Sequence, residues 1–186
     1  MKRILAFGAS SSIHSINKQL AYYAVNQLEN IEIDFIDLND FEMPIFSIDK
    51  ENDLGIPEAA LRFKAHIRHC DGILISFAEH NGSYSSAFKN ILDWASRVKE
   101  IMWHDKPMYL MATSPGARGG KSVLESAINR FGFMNGIVVA DFSLPGFNSN
   151  FESNKGILDE ELRNKFDEGL DIFKSSLEKN NLKNEA

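Results

Sequence analysis

Residues 72–96 read "GILISFAEHNGSYSSAFKNILDWAS". The first six, Gly72–Phe77, form an apolar run of the length and β-branched content expected of a buried strand. From roughly Ser85 to Val98 the pattern changes to helical spacing, with Phe88, Ile91, Leu92 and Ala95 on one face. Between them lies "AEHNGSYS", Ala78–Ser85. A turn needs only the Asn-Gly pair. The remaining polar and aromatic residues imply that this loop holds something.

The same grammar of apolar run, loop and helical pattern recurs outward from this stretch. Arg3–Phe7 is a predicted strand, followed by a helix over Ser15–Glu29 with Ile16, Leu20, Ala24 and Leu28 at four-residue spacing. Ile31–Asp37 alternates apolar and acidic residues, as a half-exposed strand does. Leu38–Ile56 reads as a long irregular segment, and Pro57–His69 as a helix with proline at its start. Pro107–Thr113 and Ile137–Leu144 are further strands, with a helix over Gly120–Phe133 between them. Asp159–Lys179 is a terminal helix burying Leu162, Phe166, Leu170, Phe173 and Leu177. Five strands alternating with helices predict an α/β protein: a parallel sheet covered on both faces. The expected organisation is one domain over residues 1–186, with a frayed polar tail from about Asn180.

Composition narrows the function classes. The 186 residues carry a formal charge of −6 and no basic cluster, which argues against nucleic-acid binding through displaced counterions. No apolar stretch approaches membrane-spanning length, and the start, Met-Lys-Arg-Ile-Leu-Ala-Phe-Gly, is too short for a signal-peptide core. Cys70 is the only cysteine, so an internal disulfide is impossible. A cytoplasmic protein is expected.

In open α/β sheets, ligands bind beyond the carboxyl ends of the strands, at the switch in strand order. With the order 2-1-3-4-5, the loops after strands 1, 3 and 4 meet. They are "GASSSIHSIN" (Gly8–Asn17), "AEHNGSYS" (Ala78–Ser85) and "SPGARGG" (Ser114–Gly120). In the first, Ser10, Ser11, Ser12 and Ser15 offer hydroxyls and Asn17 an amide, ahead of a helix N-terminus that favours an anion. No Lys or Arg lies within it, so a phosphate there has only neutral donors and the helix end. The competing reading is that the serines only cap the helix, for which Ser15 alone suffices. Neither GxxxxGK[ST] nor GxGxxG is present. Asn81 and Gly82 suit the polar edge of a flat ring, and Gly116, Gly119 and Gly120 permit close approach opposite. Arg118 faces either an anion or solvent. His66 and His69 lack further ligands nearby in sequence and read as structural or surface residues. No G-x-S-x-G elbow accompanies the serines.

These loops resemble the NAD(P)H-dependent FMN reductase family, which includes azoreductases, quinone reductases and chromate reductases. The family's first motif approximates G-S-x-R-x-x-S-x-N followed by L-A. Gly8, Ser15, Asn17, Leu20 and Ala21 match it, with one extra residue and no arginine. The second approximates P-E-Y-N-x-S-x-P-x-x-L-K-N-x-L-D-W. Glu79, Asn81, Ser83, Lys89, Asn90, Leu92, Asp93 and Trp94 match, while Ala78 replaces the first Pro, His80 the Tyr, Ser85 the later Pro and Phe88 the Leu. The resemblance implies a flavodoxin-like fold with noncovalent FMN and NADPH or NADH as electron donor. It places the phosphate against Ser10, Ser12, Ser15, Ile16 and Asn17. The ring then lies beside Glu79, His80, Asn81, Gly82 and Ser83, near Ser114, Pro115, Gly116, Gly119 and Gly120. His80 falls on the substrate side. The implied activity passes electrons to a small acceptor such as a quinone, azo compound or free flavin, with no protein acid, base or nucleophile required and no metal. A flavodoxin-like electron carrier is the alternative. A homodimer or homotetramer is implied, to which Trp94 and Trp103 are candidate interface aromatics.

Overall fold

A computed structural model describes the backbone of residues 1–184 and side chains through residue 178. Five parallel strands, β1 (Lys2–Ala9), β2 (Ile31–Phe35), β3 (Gly72–Phe77), β6 (Lys106–Thr113) and β7 (Gly136–Leu144), form one sheet in the order β2-β1-β3-β6-β7. This is the expected flavodoxin-like arrangement. Alternation along β1 divides the core. Leu5 and Phe7 join Phe63, Phe77, Phe88 and Phe131 on one face. Ile4 and Ala6 join Leu20, Tyr109, Phe166 and Phe173 on the other. The helices α3 (Glu58–His69), α4 (Ser86–Ala95) and α5 (Lys121–Phe131) supply the first face. The second is covered by α1 (Ile16–Val25) and α7 (Glu160–Asn184). Asp159 caps α7 by accepting from the Leu162 N–H at 2.9 Å. The predicted fray from Asn180 concerns side chains, and at 185–186 backbone, that lie outside the described residues.

Several elements were not foreseen. The "irregular" segment contains a 3-10 turn, Leu38–Phe41, and a helix α2 (Ile48–Leu54) capped by Ser47. The loop Ala78–Ser85 is itself a hairpin: β4 (Glu79–His80) pairs antiparallel with β5 (Ser83–Tyr84). Asn81 and Gly82 turn it with φ of 51° and 74°, as a two-residue hairpin requires. Beyond β7 lie a short helix α6 (Phe147–Asn150) and a hairpin of β8 (Phe151–Glu152) and β9 (Gly156–Ile157).

The K-N-x-L-D-W run explains how the unusual segment is held. Asn90 accepts from the Phe46 N–H at 2.8 Å and donates to the carbonyls of Met43 and Pro44. The Trp94 indole also donates to the Pro44 carbonyl, at 2.7 Å. Trp94 and Trp103 are both fully buried within this chain, so neither presents the interface surface that the sequence suggested.

Lys64 is buried in α3, its Nζ donating to the carbonyls of Ile101 at 2.6 Å and Met102 at 2.9 Å. Burial drives its ammonium down from 10.5 to about 8, against the opposing pull of Glu100. The unfolded chain therefore keeps this proton more readily between those values, and stability contributed by Lys64 rises with pH across that window. The wild-type stability relative to Lys64→Met should improve by about 2 kcal/mol between about pH 7.5 and 10. Urea unfolding of both proteins checks this; a pH-independent difference would count against a strained buried ammonium.

Candidate functional site

Buried polar residues are concentrated at one end of the sheet. Apart from Lys64, those among the described residues are Ser10, Ser15, Asn17, Ser76, Ser85 and Thr113, all at the carboxyl ends of the central strands or in the loops that follow. Polar groups withdrawn from water there must find partners, and their bonds tie the three loops together. Asn17 Oδ1 accepts from Ser76 Oγ at 2.8 Å and from the Thr113 N–H at 3.0 Å. Asn17 Nδ2 donates to the Thr113 carbonyl at 3.1 Å. The amide thus staples α1 to β3 and β6 rather than offering itself to a ligand, which corrects the role expected for it. Ser85 caps α4 by accepting from the Phe88 N–H, and its hydroxyl donates to the Ala9 carbonyl at 2.8 Å, joining the first and second loops.

Glu79 joins the second loop to α5, the helix that follows the third. Its Oε2 accepts from the Val123 N–H at 3.0 Å. Gly120 precedes α5 and has no side chain to cap it, so the carboxylate serves a helix end whose amides favour negative charge.

These ties leave a cleft of about 340 Å³ lined by Ser10, Ser12, His14, Ser15, Ile16, Asn17, Ala78, Glu79, His80, Thr113, Ser114 and Pro115. It sits at the low end of ordinary ligand pockets. Four larger grooves, of about 840 and 720 Å³ beside β7 and α7, about 520 Å³ between α1 and the β8–β9 hairpin and about 430 Å³ between the start of β2 and α7, do not gather the three loops. In the small cleft, Ser15 caps α1 by accepting from the Lys18 N–H at 3.2 Å, and Ser10 Oγ accepts from the Ser12 N–H at 3.1 Å. The Ile16 and Asn17 amides lie in the first turn of α1, where no carbonyl of the helix can reach them. Gly8 makes this possible: a Cβ there would lie 2.4 Å from the Lys18 nitrogen and 2.8 Å from the Asn17 carbonyl carbon, so only glycine lets the helix start against the strand end.

The structure therefore brings Ser10, Ser12, Ser15, Ile16, Asn17, Glu79, His80, Ser114 and Pro115 to one cleft. Asn81, Gly82 and Ser83 instead form the exposed end of the hairpin, outside the cleft lining. Gly82 serves the turn, and a Cβ on it would touch nothing within 4 Å. Gly116 is exposed. Gly119 and Gly120 are buried against the fold, where a Cβ would meet Ser143 Oγ at 2.5 Å and Ala112 Cβ at 2.9 Å respectively. Their smallness serves packing of the third loop. Arg118 donates to Ser122 Oγ and lines the groove beside β7, not the cleft. His66 stands apart, with Nδ1 2.8 Å from Asp34 Oδ2. The cleft residues that sequence reasoning passed over are His14, Ala78 and Thr113; the signal for His14 was its place in the first loop immediately before the capping serine.

The donor set fits a phosphate monoester: neutral hydroxyls and unpaired helix amides at one end, with polar hairpin and loop residues beyond them. FMN meets that description.

Comparison with known proteins agrees. The family model described as NADPH-dependent FMN reductase matches residues 2–149. A 2-hydroxy-1,4-benzoquinone reductase of Burkholderia sp is 39% identical over 107 residues, 56% of each protein. An NADPH:quinone oxidoreductase of Arabidopsis thaliana is 29% identical over 165 residues, 85% of this chain and 83% of that protein. Among solved structures, the flavoenzyme NAD(P)H:(acceptor) oxidoreductase FerB of Paracoccus denitrificans superposes with a TM-score of 0.77 at 25% identity, covering 96% of this chain and 98% of its own. With its flavodoxin-like sheet, its three tied loops and this match over most of its length, the chain belongs to the NADPH-dependent FMN reductase family of oxidoreductases.

Proposed function

We propose that this protein is a cytoplasmic, FMN-dependent reductase that passes electrons from NADPH or NADH to quinones. The observation that carries the reading is the single cleft at which the three loops converge, with hydroxyl donors and a helix N-terminus at one end. Ser10, Ser12 and Ser15, with the Ile16 and Asn17 amides, would hold the phosphate. Glu79, His80, Ser114 and Pro115 would flank the ring. When bound, FMN supplies the redox chemistry, accepting a hydride from the nicotinamide and giving two electrons to the acceptor. The chain's part is to bind, orient and limit solvent access. Asn17, Ser85 and Glu79 hold the three loops in mutual register, so the cleft is preorganised before a ligand enters.

The charge of the cleft favours a neutral acceptor over an anionic one. Among the described residues no Lys or Arg lines the cleft, so a permanently anionic acceptor gains no fixed counter-charge there, while a neutral quinone needs none. The quinone-reducing relatives support the same choice. Steady-state assays with NADPH against benzoquinones, azo dyes, free FMN and chromate test it. Quinones should lead in kcat/KM by about tenfold, equivalent to about 1.4 kcal/mol of transition-state stabilisation. Faster chromate or azo reduction would contradict the assignment.

A homodimer is part of this proposal. Ile13, Ile45, Ile48, Leu54 and Phe133 are large apolar residues left exposed, and buried interfaces are where such residues gain most. Light scattering at a mass near 21 kDa would refute it. No helix of the described residues is long and apolar enough to cross a membrane.

A further inference from the structure

Resting on the flavin-site reading above, we propose that His14 is the counter-charge of the cofactor phosphate, so that FMN binding tightens as this imidazole gains a proton and loosens as it loses it. His14 lines the cleft beside Ser10, Ser12 and Ser15, directly before the residue that caps α1. It is exposed. Histidine is also the side chain whose charge ordinarily changes between about pH 5 and 8.

The neighbouring permanent cations are committed elsewhere. Lys18, four residues along the chain, is paired with Asp37. Burial alone would raise the Asp37 carboxyl, but hydrogen bonds from Lys18 and Asn39 outweigh it and hold the group below its usual range. Arg118 bonds Ser122 on the other side of the third loop. Across the cleft, the hairpin contributes two titratable groups, Glu79 and His80. Glu79 already accepts from the Val123 N–H at the start of α5, so part of its charge is met there. The end of β6 and the third loop contribute Thr113, Ser114 and Pro115, and the first loop contributes, besides His14, Ser10, Ser12, Ser15, Ile16 and Asn17, none of which is charged. Among the described residues, the cleft is thus lined by two histidines, His14 and His80, and by no Lys or Arg, and His14 is the one on the phosphate loop.

A phosphate monoester loses its second proton near pH 6. Above that value the ligand is predominantly a dianion, so the change in attraction up to about pH 8 comes mainly from imidazole charge in the cleft, and the variants below separate His14 from His80.

Fluorescence-quenching titrations of the whole protein with FMN, and with riboflavin, which lacks the phosphate, test the proposal. In the wild type, the Kd for FMN should fall about three- to tenfold from about pH 8 to 6.5, while the riboflavin Kd changes little. His14→Gln should bind FMN with no such slope and match the wild type near the alkaline end. His80→Gln should retain the slope. A slope that persists in His14→Gln, vanishes in His80→Gln, or appears equally with riboflavin overturns the assignment. Those outcomes leave the flavin site standing. Failure of the wild type to bind FMN at any pH would instead defeat the flavin-site reading and this proposal with it.

Discussion

Ser15→Asp is expected to lower FMN affinity at least tenfold while leaving the fold intact. Aspartate is as good a helix N-cap as serine, so α1 keeps its capping bond to the Lys18 N–H. Its carboxylate, however, stands beside the Ile16 and Asn17 amides, where the phosphate would lie. Two like charges about 4 Å apart repel by roughly 1–4 kcal/mol at effective dielectrics between those of water and a protein surface. The dianion doubles that figure. Titration by fluorescence quenching reads the affinity and thermal unfolding reads the fold. Unchanged affinity would remove Ser15 from the phosphate site.

Asn17→Ala should do the reverse, striking the fold first. It leaves the Thr113 N–H, the Thr113 carbonyl and Ser76 Oγ without the partners they have now, all of them buried. Each buried polar group left unmade costs about 1–3 kcal/mol, so a loss of about 3 kcal/mol or more is expected in urea unfolding. Asn17→Asp gives a finer test. It keeps the shape and the acceptor, but turns a second carboxylate oxygen toward the Thr113 carbonyl. Protonation restores a donor there, so the stability deficit should shrink as pH falls. A deficit below about 1 kcal/mol for Asn17→Ala would mean that the staple contributes little.

The strands were legible in the sequence because buried parallel strands read as continuous apolar runs, and Gly72–Phe77 is entirely buried; their order came from the flavodoxin-like arrangement that the family resemblance implies. The three loops were legible for the same reason: once strand order is known, their convergence follows from topology. Individual side-chain roles were less so. Asn17 reads as a ligand donor because the sequence does not show that Ser76 and Thr113 reach it first. Gly119 and Gly120 read as ligand-facing because a glycine that makes room for Ser143 or Ala112 looks the same as one that makes room for a ring. The structure within Leu38–Ile56 was hidden because its anchors, Asn90 and Trp94, lie more than forty residues further along the chain. Lys64 gives no local sign of burial, since its two carbonyl partners come from a distant loop.

The central claim is that this cleft holds FMN where a nicotinamide can reduce it. Anaerobic mixing of the FMN-loaded protein with NADPH, and separately with NADH, tests it most directly by following the visible absorbance of the flavin. Rapid bleaching by at least one nicotinamide, with no third component present, is the predicted result. A protein that holds FMN tightly yet keeps its colour with both nicotinamides would contradict the account and mark the chain as an electron carrier.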